Sequence, residues 1–348
     1  MKRLLKYNLF ALLLVATLSE ISAQVELYKR IEQEFKVDAG KLLDIKSSFG
    51  KIHVNNWDKN EFKVVIDIRA ESSTDARAQK LLDRIDINIT ENNNSVIFQT
   101  ILDGSNSKGS EEFEVVYTVN MPTINPLKIK HSFGDVFLDN RQGLTQTDVS
   151  YGALKAKMLP ENTSVKISFG SADINEIISG DLNSGYSKIY IDKSGILDVE
   201  QQFSQLEIMS IDKLTIESKY GDIKLGNVGT INAEVQFSGF TIEKLNESIV
   251  MNSKYVSGFE INSLSSKFSL VDLNGDFGSF KIRLENNVKA NFEGYFSFAD
   301  LKNSGVDIDF NYSVKENNKS EYKGKINGGD PSKIIRVKSS YGDCRLFY

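Results

Sequence analysis

The sequence predicts an all-β protein, a right-handed parallel β-helix or solenoid with coils of 17–18 residues, and three observations carry that reading. A short phrase built on an aromatic residue recurs along most of the chain. Apolar and polar residues alternate on either side of each aromatic, the two-residue period of a strand with one buried face. At each aromatic the alternation slips by one residue, which marks a bend. An antiparallel β-meander, turning after each aromatic, is the alternative architecture.

The first residues predict export. Lys2, Arg3 and Lys6 precede an uncharged apolar run over residues 9–18, and Ile21-Ser22-Ala23 offers a small residue at a cut. That is the three-part plan of a secretory signal peptide over 1–23. The run is shorter than the roughly 20 residues of a membrane span, and no cysteine stands at the cut to carry a lipid. The expected location is the periplasm, cell surface or exterior of a bacterium, not as a lipoprotein. No transmembrane segment is expected after the leader is removed.

Residues 24–125 predict a β-rich cap with one short helix. Phe62-Lys63-Val64-Val65-Ile66-Asp67-Ile68 and residues 112–119 read as strands, with a charged strand at 85–88. Residues 72–82 read as the helix. Ser73 or Thr74 is its cap, and Ala76, Ala78, Leu81 and Leu82 its apolar stripe. A cap is expected because the end coils of a solenoid expose unpaired strand edges.

Residues 126–348 hold the repeats. Phe133-Gly134-Asp135-Val136-Phe137-Leu138 returns as Tyr151-Gly152-Ala153-Leu154-Lys155-Ala156 and as Phe169-Gly170-Ser171-Ala172-Asp173-Ile174. Later copies start at Tyr186, Phe203, Tyr220, Phe237 and Tyr255. An outlying copy starts at Phe49, and others at Phe277, Phe296 and Tyr341. Pairs such as Leu206/Ile208 and Ile223/Leu225 are the inward residues, Lys224 points out, and Cys344 falls in an inward slot. A tight hairpin after each aromatic would need positive φ at Ser187, Ser204, Ser238, Val256 and Ser297, where side chains resist it. That favours the solenoid, whose aromatics are then expected to stack as an internal ladder. Phe and Tyr alternate from Phe133 to Tyr255, and a buried Tyr hydroxyl needs a polar neighbour. Over 303–335 a hairpin-like excursion is expected before the last coil, around the polar run 315–319.

Composition excludes several function classes. The leader's Lys2, Arg3, Lys6 and Glu20 sum to +2, so the chain without it stands at −7 against −5 for the whole. An acidic chain is a poor partner for nucleic acid. With Cys344 alone, no intramolecular disulfide forms. His53 should face solvent between Ile52 and Val54, and His131 reads as a polar residue tolerated at a bend. Two isolated His give neither a triad nor a zinc spacing. Asp135, Asp222 and Asp343 recur after the Gly, and such residues are more often turn formers than catalysts. The reading is no enzyme, no cofactor and no metal.

The chain resembles a bacterial exported β-strand-repeat family of unknown function, related to adhesin head domains. The resemblance rests on Gly50-Lys51-Ile52-His53-Val54 with Trp57, on Val116-Tyr117-Thr118-Val119-Asn120-Met121-Pro122, and on the aromatic-Gly-Asp-apolar phrase. It implies a β-helical fold and export, and supplies no catalytic residue. The expected function is a non-catalytic binding or adhesin-like protein of the envelope or surface. Its partner would be an unidentified envelope or extracellular protein or glycan. A structural or envelope-stress-associated role is the first alternative, a polysaccharide-cleaving β-helix enzyme the second. Trp57, Phe137 and Tyr190 are the outward aromatics expected to mark a binding face.

Overall fold

The computed structural model describes residues 24–104 and 111–348; the expected leader lies outside them. Twenty-four strands join in one sheet, and Asp75–Asp83 is the one α-helix among these residues. From Leu127 onward the repeat is parallel. Ser171–Gly185 pairs with Lys188–Gln202, which pairs with Gln205–Lys219, then Asp222–Gln236, then Gly239–Lys254. Partners such as Ile189 and Leu206, or Leu206 and Ile223, lie side by side. Parallel pairing at this register gives a solenoid-like stack and excludes the meander.

The core follows from the alternation. In Lys188–Gln202, Ile189, Ile191, Ser194, Leu197, Val199 and Gln201 are buried, and most residues between them face out. Stacking places like on like, so the inward rows merge into one hydrophobic cluster running from Val37 to Leu346. Ile223 is buried and its neighbour Lys224 exposed, as the register requires.

The aromatic ladder lies outside, which corrects the expectation of an internal one. The one-residue slip falls before the aromatic. Gln201 and Ser204 are buried while Gln202 and Phe203 between them are exposed. The corner is made by the aromatic itself, which adopts the left-handed conformation: φ is 50° at Phe203, 56° at Tyr220 and 51° at Phe237. The following Ser never carries the positive φ. It turns inward instead and closes the backbone at the corner. Ser204 Oγ donates to Gln202 O at 2.8 Å and accepts from Ser187 N at 3.2 Å. Ser238 Oγ likewise donates to Gln236 O and accepts from Gly221 N. Where Gly holds this position the coils approach too closely for a side chain. A Cβ on Gly152 would sit 1.8 Å from Gly134 O.

At the N-terminal end, Leu42–Asn56 is parallel to Leu127–Leu138 on one side. On its other side it pairs with Ser95–Leu102 and Glu112–Met121, also parallel. Glu112–Met121, Glu61–Ser72 and Val25–Lys36 then continue antiparallel. Thr74 caps the helix by accepting from Arg77 N, and Ala78, Leu81 and Leu82 are its buried residues. Ala76, expected in that stripe, is exposed because it falls a half-turn from Ala78.

At the C-terminal end the chain order and the spatial order part. Ile308–Glu316 and Lys319–Ile326 form an antiparallel hairpin, and the second of these pairs with Ala290–Ser297. The chain then returns. Ile334–Ser340 inserts between Leu270–Asp276 and Ala290–Ser297. Cys344–Phe347 inserts between Phe280–Leu284 and Leu301–Ser304. The last coil in sequence is therefore internal to the stack. Arg336 fixes the slot, bonding Asp272 at 3.0 Å on one flanking coil and Glu293 at 2.9 Å on the other.

Candidate recognition surface

A row of exposed rings runs along one corner of the stack. Twelve residues contribute: Phe49, Phe133, Tyr151, Phe169, Tyr186, Phe203, Tyr220, Phe237, Tyr255, Phe277, Tyr341 and Phe298, in that spatial order. All twelve have φ between 50° and 60°, and each is 36–56% exposed. Neighbouring centroids lie 4.7–5.0 Å apart with planes within 9° of parallel. Phe298, not Phe296, is the rung of its coil. Phe296 is buried, and Ser297 precedes the corner rather than following it.

The alternation of Phe and Tyr belongs to the surface rather than to the sequence. Between Phe133 and Phe298 successive rings alternate Phe and Tyr along the stack; only Phe49, stacked on Phe133, departs from it. In chain order the last three rungs are Phe277, Phe298 and Tyr341. Insertion of the final coil puts Tyr341 between the two Phe rings, at 4.7 and 4.8 Å, and restores the pattern. The free hydroxyl of every second ring was the sequence signal for exposure, since a dry interior would have to satisfy each one.

The three outward aromatics lie elsewhere and apart. Phe137 stacks on His53 at 4.6 Å and lies under Lys155. Tyr190 stands in the same lateral row, beyond Lys155 and Asp173; its hydroxyl donates to Asp192 at 2.7 Å. Trp57 is half-buried, its indole N–H donating to Glu61 O at 2.8 Å and Lys59 resting over its ring. The structure does not bring these three together.

A concavity of about 1280 Å³ opens at the C-terminal end, between the hairpin and the last rungs. Tyr295, Tyr312, Phe298, Glu293, Arg336 and Lys338 line it. The hairpin is held over it by Asp300, which accepts from Tyr322 Oη, from Lys315 Nζ at 2.7 Å and from Ser320 Oγ. Burial would raise the Asp300 carboxyl, but Lys315 and Tyr322 hold it at about 2.

Of the three aspartates that recur after the Gly, two hold backbone and Asp222 is exposed. Asp135 accepts from Ala153 N, and Asp343 from Asp300 N. His131 is buried inside a corner with Nε2 3.1 Å from Gly50 O, and burial lowers its pKa. Arg141, which the sequence reading missed, is wholly buried. It donates to Asn56 Oδ1 and to Asn125 O, tying the end of Leu42–Asn56 to the loop that leads into Leu127–Leu138. Burial lowers its pKa to about 10, so it stays charged at neutral pH. No cluster of three or more His, Cys, Asp or Glu suited to a metal occurs among the described residues. No helix among them is long and apolar enough to cross a membrane.

No family model matches the chain, and no curated protein matches it. Among solved structures it is similar to a candidate cell adhesion protein of Clostridium sporogenes, at 10% identity over 92% of this chain and 99% of that one, with a TM-score of 0.17. It is similar to a candidate adhesin of Parabacteroides merdae at 12% identity, covering 74% of this chain and 97% of that one, TM-score 0.38. A candidate adhesin of Bacteroides fragilis gives 16% identity, 91% and 97% coverage, and a TM-score of 0.27. At these overlaps no residue role is transferred.

Proposed function

We propose that the chain is an exported, non-catalytic, adhesin-like protein of the bacterial envelope or surface, and that it binds its partner through the aromatic ladder. The observation that carries this is the ladder's exposure. Twelve large residues sit in a backbone region that penalises them, offset by stacking on one another, and the whole row faces out where an ordinary surface would place polar residues. Strain of that kind persists where the surrounding structure fixes it, and it clusters at functional sites. Right-handed coils are part of the proposal, since parallel crossovers take that hand in about 98% of cases. So is the division into leader, N-terminal cap over 24–125 and repeats over 126–348. Phe137 and Tyr190, in their shared row, and Trp57 are secondary contacts in this reading.

The test uses the chain freed of its leader, in pull-down from envelope and extracellular-matrix fractions. Capture is expected, and it should be lost in the variant Phe169→Ser/Phe203→Ser/Phe237→Ser with its circular dichroism intact. Capture that ignores these substitutions refutes the ladder as the binding surface. Cleavage of an acidic or neutral polysaccharide, abolished by Asp222→Asn, would replace this reading with an enzyme.

A further inference from the structure

The dimensions of the ladder restrict what can lie on it, and the inference drawn from them rests on the ladder being a binding surface. Eleven steps of about 4.8 Å give a stripe on the order of 53 Å long and one ring wide. A strip about 6 Å wide offers on the order of 300 Å², well short of the roughly 800 Å² per partner in a standard stable interface. A second copy of the chain or a globular partner would bury mostly the flanks. A single extended chain would cover the stripe completely.

The flanks are neutral along one half of the ladder and carry both signs along the other, where exposed Lys219, Lys254 and Asp276 precede Tyr220, Tyr255 and Phe277. On one side of the rungs from Phe133 to Phe203 stand Ser132, Ser150, Ser168, Gly185 and Gln202, and on the other Gly134, Gly152, Gly170, Ser187 and Ser204. Ser187 and Ser204 are turned inward at the corners, so the rings themselves are the large side chains that project along this edge. Each ring face is taken by the next ring, so an occupant meets ring edges and hydroxyls. A sugar, which stacks on a free aromatic face, finds one only at the Phe298 end.

The hydroxyls set a period. Tyr151, Tyr186, Tyr220, Tyr255 and Tyr341 are each 47–56% exposed and alternate with Phe. Tyr186 to Phe203 is 4.8 Å and Phe203 to Tyr220 is 4.9 Å, so hydroxyls recur roughly every 9.7 Å along a straight stack. A β-strand repeats its side every two residues, about 6.8 Å. Two turns of α-helix take about 10.8 Å. A polyproline II helix repeats every three residues at about 3.1 Å each, roughly 9.3 Å per turn. Its backbone makes no internal hydrogen bonds, so one carbonyl per turn is free to accept from a Tyr hydroxyl. Insertion of Tyr341 carries this period through the last coil, where chain order alone would have broken it.

We propose that the ladder is a rail for polyproline II segments of a proline-rich partner, lying along the stack with one carbonyl per turn on each Tyr hydroxyl. Aromatic surfaces take such helices readily because they are preformed and lose little entropy on binding.

The probe is fluorescently labelled decaproline, titrated against the leader-free chain by anisotropy, with a cello-oligosaccharide in a parallel arm. Saturable decaproline binding is expected. Tyr186→Phe/Tyr220→Phe/Tyr255→Phe keeps every ring and should retain the melting temperature while weakening binding by about tenfold or more, as loss of several hydrogen bonds requires. Decaproline binding that is absent, or unchanged by these substitutions, overturns the proposal, as does saturation by the oligosaccharide instead. If that happens while ladder-dependent envelope capture persists, the partner class alone is wrong. If capture too ignores the Phe→Ser substitutions, the ladder is not the binding surface.

Discussion

Phe203 sits at φ 50°, where a side chain costs about 1–2 kcal/mol relative to the right-handed region. Its two stacked neighbours, Tyr186 and Tyr220, return about 0.5–1.5 kcal/mol each. The two effects are close in size, and they separate on substitution. Phe203→Ala keeps the strain and loses both stacks, whereas Phe203→Gly loses the stacks and the strain together. The Gly variant should therefore melt above the Ala variant. At an ordinary outward strand position the order is reversed, since Gly there costs roughly 0.5–1 kcal/mol more than Ala. His131 acts on pH instead. Its folded pKa is depressed by burial, so the neutral form is the stable one. Its contribution is full above the unfolded value near 6.5 and falls as pH drops through the lower folded value. A melting profile of the whole protein should decline below about pH 6.5, and His131→Val should flatten that decline. An unchanged slope would remove His131 as its source.

At the scale of the element, the strands were legible and their corners were not. Alternation such as Leu197 with Val199, or Leu206 with Ile208, marks inward rows wherever it is regular, and Ile223 and Lys224 fall as expected. What periodicity leaves open is the side of the aromatic on which the slip falls, and that alone sends twelve rings out rather than in. The insertion of the last coil was illegible for a different reason. Ile334–Ser340 carries the same pattern as any other coil, and only its partners, Asp272 and Glu293 on Arg336, identify the slot. Arg336→Asp would place three carboxylates on adjacent strands and should cost about 2 kcal/mol or more. Cys344 reports it. Its thiol is buried and pushed up to about 12, so native protein should label slowly. Labelling should accelerate in Arg336→Asp, and equal rates in the two proteins would show that Arg336 does not hold the coil in place.

At the scale of the whole molecule, both ends are closed by strands that arrive out of order. A linear stack of repeats gains stability mainly from nearest neighbours and frays from its ends. Here Leu42–Asn56 is held between Leu127–Leu138 and two later-returning strands. Ile334–Ser340 is held between coils that precede it in sequence. Opening either terminal coil therefore requires breaking contacts with segments far along the chain, and fraying loses its easy start. Amide exchange should then be nearly as slow in Leu270–Asp276 as in Gln205–Lys219 at the middle. Removing residues 334–348 unpairs Leu270–Asp276 and Ala290–Ser297 together and takes the Tyr341 rung out from between Phe277 and Phe298. Exchange should rise first in Leu270–Asp276 and Phe280–Leu284, and fall back to the intact value by Gln205–Lys219, because coupling decays coil by coil. A uniform rise along the stack would mean that the molecule unfolds as one unit and that the inserted coil is a keystone for all of it rather than a lock on one end.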